Sequence, residues 1–219
     1  MNLLLLQLAD SAFPTGSFTH SGGLEAAYQH GEVRDIGELR AFGRAALWQA
    51  GYAALPLVNA AHIDPERLRE LDTLSEAFLR NPVTNRASRS QGRAFVSTCA
   101  RAFPSPAIGE IERRVRGDLL IPHLAPVFGA ILSALNIDCR DAGRLYLYLV
   151  IRGVLSAAVR LGIVGSIHAQ RLQAESRDDI ERVLGRCCTL GDTELAQPSP
   201  LLDLFQGTHD RLYSRLFHS

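Results

Sequence analysis

Apolar residues recur along this chain at intervals of three and four and nowhere in strict alternation, so the pattern predicts helices and no strands. Residues 3–8, LLLLQL, predict a short first helix ending near Asp10. Leu24, Ala26, Ala27 and Tyr28 predict a second, capped at Ser21 or Gly22 and closed by Gly31. With Gly22 as the cap, Glu25 falls at N3, where its charge suits the helix N-terminus. Asp35 and Glu38 start a third helix whose Leu39, Phe42, Ala46 and Trp48 lead into residues 51–61, with Pro56 expected to kink or split it. Asp64-Pro65-Glu66 supplies a cap, a first-turn proline and an acid ahead of Leu68, Leu71, Leu74 and Phe78. Asn81-Pro82 stops that helix. Residues 83–103 predict the next, apolar at Ala87, Ala94, Phe95 and Cys99 and polar at Arg86, Arg89, Gln91 and Arg93.

Pro104 and Pro106 interrupt the pattern, after which residues 108–116 form a short charged helix and 124–135 an apolar one. Asp138 can cap a long helix over residues 140–163, with Gly165 at its exit. Residues 167–175 and 176–190 continue as helices. Gly191, Pro198 and Pro200 then lead to a last helix over 201–217. No repeat of fixed period is visible. The expectation is an all-α, single-domain helical bundle of about ten helices spanning residues 1–219.

One stretch departs from this periodic pattern. SAFPTGSFTHSGGLE, residues 11–25, combines turn formers with Phe13, Phe18 and Leu24, and so predicts an ordered, packed turn rather than a linker.

Composition places the chain among ordinary globular proteins, with 47% hydrophobic and 21% charged residues and a net charge of +0. All 23 basic residues are Arg, balanced by 23 acids, so the charge carries no nucleic-acid footprint. Cys99, Cys139, Cys187 and Cys188 form no CxxC and no regular framework, which favours a reducing compartment; vicinal Cys187-Cys188 fits a contact to a soft metal less well than buried thiols on a helix. The N-terminus has no positive n-region and carries Asp10 directly after its leucines, unlike a secretory signal, so a cytoplasmic location is expected. Residues 145–164 are the most membrane-like stretch, but Arg152 and Arg160 interrupt them, and a buried central helix is the better reading.

Candidate chemistry is sparse. Asp10, Ser11, Ser17 and His20 invite a nucleophile-and-base reading, but they lack the strand-turn-helix context of a GxSxG elbow. Their hydroxyls and imidazole suit helix ends and turn backbone. The seven His show no i, i+4 pair and no HExxH, and Gly16, Gly22 and Gly23 form no phosphate loop. Arg144 and Tyr148 share a helix face, which fits either a subunit seam or a surface strip. At the chain end, Leu212, Tyr213, Leu216 and Phe217 interleave with Arg211 and Arg215. Such a segment either packs on its own domain or enters a groove on a partner.

Five motifs resemble, in order, the UreF family of urease accessory proteins. They are SAFPTGSFTHSGGLE with Pro14, Gly16, His20, Gly22, Gly23 and Glu25; NRASRSQGRAF with Gly92 and Arg93; HLAPVFGAI; SAAVRL with Arg160; and the ending LYSRLFHS. After SAAVRL, where many bacterial members have Pro-Leu-Gly-Gln, this chain reads GIVGSIHAQRL. The resemblance implies an all-α, cytoplasmic, dimeric protein without enzymatic activity or cofactor. It would join UreD (also called UreH) and the GTPase UreG on apo-urease during nickel insertion, as scaffold and regulator. Under it, Arg211, Tyr213, Arg215, Leu216 and Phe217, on a docking helix at about 199–219, are the expected UreD/UreH contacts, and Arg144 and Tyr148 the expected dimer contacts. Two competing readings are a small-ligand binder or enzyme using Ser17, His20 and Glu25, and a metallochaperone holding nickel through His and Cys.

Overall fold

Side-chain caps fix where many of the helices begin. The computed structural model describes residues 2–15 and 19–218, and among them run twelve α-helices and three 3-10 turns, with no strand. The all-α reading therefore holds. Helix α1 (Leu3–Leu8) is capped by Asn2. In α3 (Ile36–Ala53) the Asp35 carboxylate accepts the Glu38 N–H at 2.8 Å, and the Glu38 carboxylate accepts the Arg34 N–H at 2.6 Å. Helix α4 (Leu55–Ile63) follows a break at Ala54, with Pro56 in its first turn, where no intrahelical N–H is needed; the proline splits the helix instead of kinking it. A 3-10 turn, Pro65–Arg67, carries Asp64-Pro65-Glu66 into α5 (Leu68–Phe78). Asn81 caps α6 (Pro82–Ala102), Ser105 caps α7 (Pro106–Arg116), and α8 (Leu124–Ala134) follows.

Asp138 caps α9 (Cys139–Arg160), which ends three residues before the expected 163. The cause is Gly162, at φ +75°, where Ile163 N–H reaches back to the Ala158 carbonyl and closes the helix in a Schellman turn. Helices α10 (Ser166–Glu175) and α11 (Arg177–Cys187) follow, and α12 (Pro200–Thr208) is the last. The helix expected over 201–217 thus ends at Thr208, passes through a 3-10 turn at His209–Arg211, and gives way to a non-helical strap over 212–218. In α2 (Leu24–Gln29) the cap is Gly23 at φ +89°, not Ser21 or Gly22, so Glu25 stands at N2.

The core is built on α4 and α8, which cross so closely that a Cβ on Gly129 would lie 2.2 Å from the Val58 carbonyl oxygen. Every residue of α8 from Ala125 to Leu132 is buried. Phe95 of α6 stacks on Phe128 with centroids 5.1 Å apart, and Tyr146 of α9 meets Phe128 edge-on at 5.2 Å. The one buried amide of α4, Asn59, donates to the Cys187 and Leu190 carbonyls at 3.1 and 3.0 Å, satisfying acceptors that the end of α11 leaves open. By length and composition α9 could cross a bilayer, but half of its apolar window, 50%, is buried inside the bundle, as a core helix would be.

Candidate functional site

Two segments far apart in sequence, the turn before α2 and the strap at the chain end, meet at Thr19, and the turn is packed on α12. Helix α12 is tied to its neighbours by amides. Asn81 both caps α6 and donates to the Asp203 carbonyl at 2.7 Å, while Gln206 donates to the Gly22 carbonyl at 3.1 Å. Gly23 is required there twice over. Its positive φ suits glycine, and a Cβ would stand 2.9 Å from the Gln206 side chain.

Glu25 then turns its carboxylate under the strap. The residue is 1% exposed, yet its oxygens are filled by the Leu216 N–H at 2.6 Å, the Phe217 N–H at 3.3 Å and His209 Nε2 at 3.1 Å. A buried carboxylate costs several kcal/mol unless its lone pairs are satisfied, and these three donors offset that cost. Among the described residues His209 Nδ1 is buried without a hydrogen-bond partner, as befits the tautomer whose proton sits on Nε2 and points at Glu25. The strap is further held by His218 N–H to the Thr19 carbonyl at 2.8 Å and Gln29 Nε2 to the Ser214 carbonyl at 2.8 Å. Phe217 is buried beneath the Arg160 guanidinium, 4.1 Å from the ring centroid, a contact of about 0.5–2 kcal/mol.

The expected docking residues divide accordingly. Phe217 packs on its own domain, whereas Tyr213 is fully exposed and Leu216 is 59% exposed. Arg211 is exposed on the 3-10 turn, and Arg215 lies 3.5 Å from Asp210, which also pairs with Arg86 at 2.9 Å. The hydrogen bond from Arg86 holds the Asp210 carboxyl below its ordinary range.

His20 is half-buried beside the strap, and its pKa falls to about 4, chiefly through burial and then through the nearby His218, His209 and Arg86. Pro14 is exposed, and its carbonyl accepts from the Thr98 hydroxyl at 2.9 Å. Gly16 and Ser17 lie outside the described residues. A cavity of about 300 Å³ opens among α3, α6, α8, α9 and α12, walled by Ala50, Phe95, Phe128, Tyr146, Val150 and Leu202. His20 reaches its wall, but Glu25 is turned to the strap, so the two do not converge on one pocket.

A second knot lies where α6 meets the loop before α8. Gly92 is buried against Pro122, and Arg93 beside it is exposed. Asp72, 2% exposed, accepts the Ile121 and His123 N–H groups at 2.5 and 2.8 Å. His123 itself is sealed between Glu76 Oε2 at 2.8 Å and Ser88 Oγ at 3.2 Å. Burial pushes the Asp72 carboxyl up, and the two backbone donors pull it partly back. Asp72, Glu76 and Ser88 were not singled out in the sequence, although Asp72 and Ser75 fall on the apolar face of α5 set by Leu68 and Leu71 and are the signal that would have found them.

Arg144 is engaged within the chain, with Glu181 of α11 at 2.5 Å and with Asp141, and Tyr148 is half-buried one turn on. Among the described residues no group of three or more His, Cys, Asp and Glu side chains is placed to hold a metal ion. Burial raises the Cys99 thiol to about 12 and Cys187 to about 11, which keeps both protonated.

A family model described as UreF matches residues 33–177. The chain belongs to the UreF family of urease accessory proteins. It is 39% identical to urease accessory protein F of Oryza sativa subsp. japonica over 215 residues, covering 96% of this chain and 82% of the relative. It is also 39% identical to urease accessory protein F of Arabidopsis thaliana over 217 residues, covering 97% and 90%. Urease accessory protein UreF of Trichodesmium erythraeum is 30% identical over 226 residues, covering 98% and 95%. The family model stops short of both the signature turn and the strap, whereas these UreF relatives align over nearly the full length.

Proposed function

We propose that this UreF chain is a cytoplasmic, non-catalytic scaffold and regulator of urease maturation. It bridges UreD/UreH and the GTPase UreG in the complex that inserts nickel into apo-urease, and couples GTP hydrolysis on UreG to release of the metal. Nickel is cargo in this reading, and the chain carries no cofactor of its own. The observation that supports it is the strap, a chain end whose backbone is anchored on Glu25 while Tyr213 and Leu216 are left in solvent, interleaved along the chain with Arg211 and Arg215. Exposed Tyr and Arg on a fixed backbone are the residue types that dominate protein interfaces. A paired substitution, Arg211→Ala with Tyr213→Ala, removes that face without touching the core. Capture of UreD/UreH should weaken at least tenfold, as loss of interface anchors does. Undiminished capture refutes the strap as the docking site.

A further inference from the structure

The strap has no ladder of its own. Residues 212–218 belong to neither helix nor strand, so their path is set by a few point contacts. Gln29 to Ser214 is solvent-exposed, and His218 to Thr19 lies at the end of the chain. The contacts shielded from water are the Phe217 ring and the Glu25 carboxylate, which takes two consecutive N–H groups, Leu216 and Phe217, and is itself steadied by buried His209. Two adjacent N–H groups aimed at one carboxylate fix the peptide plane between them. That plane decides which side chain points in and which points out. Here Phe217 goes in and Leu216 out.

We infer that Glu25 is the positioning residue for the docking face of the strap. By gripping the backbone at Leu216 and Phe217 from below, it sets how Tyr213, Arg215 and Leu216 are presented above. The inference rests on the strap being the UreD/UreH site. The partner surface that fits is an apolar pocket rimmed by carboxylates, complementary to exposed Tyr213 and Leu216 interleaved with Arg211 and Arg215. Glu25 touches no partner in this arrangement and acts only through the strap. Glutamine in its place keeps the shape but offers one acceptor oxygen where the carboxylate has two, so one of the two adjacent N–H groups faces an N–H₂ group and the two-point grip is broken with little change in volume.

The test uses the full chain in four forms: wild type, Glu25→Gln, the Arg211→Ala/Tyr213→Ala pair, and all three substitutions together. Hydrogen exchange on the free proteins should show the Phe217 and His218 amides exchanging about tenfold faster in E25Q, with α4 and α8 still protected. Capture of UreD/UreH should fall about tenfold in E25Q and fall no further when E25Q is added to the docking-face pair. Strap amides as protected in E25Q as in wild type overturn the inference. Full capture by the docking-face pair overturns the docking reading beneath it, whereas an impaired pair beside an unimpaired E25Q overturns the positioning role alone. Should E25Q lose protection in α4 and α8 as well, Leu216→Pro, at an exposed side chain outside any helix, removes one of the gripped N–H groups without touching the core. Unchanged exchange at Phe217 in that variant is equally fatal to the inference.

Discussion

Gly92 of α6 lies against the carbonyl of Pro122 so closely that a Cβ would stand 1.9 Å from the oxygen and 2.8 Å from the carbon. The obstacle is backbone, which a rotamer change cannot move. Gly92→Ala is therefore expected to destabilise the fold by about 3 kcal/mol, the upper end of overpacking costs. Gly109→Ala on α7, where nothing lies within 4 Å, should instead stabilise by about 0.5–1 kcal/mol through helix propensity. Denaturant midpoints of the two variants, moving in opposite directions, check both.

Asp72 holds the far side of the same loop. Replacing it with Ala leaves the Ile121 and His123 N–H groups without their acceptor, at an expected cost of about 2–4 kcal/mol. Because burial raises its carboxyl above the ordinary 3.8, the folded state keeps the proton to higher pH than the unfolded chain. The proton-linked part of Asp72's contribution is full below about 3.8 and is lost as pH rises through the raised folded value, while its two backbone hydrogen bonds remain. Urea titrations across acid pH should show this slope in wild type and not in Asp72→Ala.

His20 works in the opposite direction. Its folded pKa is lowered from 6.5 to about 4, so the unfolded chain takes up a proton that the folded chain refuses. Stability from His20 is complete above about 6.5 and drains away as pH falls towards about 4. His20→Gln should flatten the unfolding midpoint over that interval, read by circular dichroism at fixed temperature.

The helix starts were legible because capping is local. Asp35, Asp64 and Asp138 each accept an N–H within three residues, so their role needs no knowledge of the rest of the chain. The end of the last helix was not legible for the converse reason. Leu212, Leu216 and Phe217 satisfy helical spacing, but the N–H groups of Leu216 and Phe217 are taken by Glu25, which lies 191 and 192 residues away. Tertiary capture overrode a local pattern. The same carboxylate looked like a helix-dipole acid beside a possible catalytic turn, and only its distant partners reveal it as an anchor.

Arg144 and Tyr148 are the proposed seam of a homodimer. Glu181 and Asp141 hold the Arg144 side chain in one position, which lowers the entropy lost on meeting a second subunit. Arg144→Ala with Tyr148→Ala is expected to shift the light-scattering mass from dimer to monomer. A dimer mass unchanged by the double substitution rejects this seam.

The most direct measurement of the scaffold reading is co-expression of this chain with UreD/UreH and UreG, followed by size exclusion with mass detection. One peak containing all three proteins is the predicted result, lost when Arg211 and Tyr213 are both Ala. Elution of the chain apart from both partners would contradict the account.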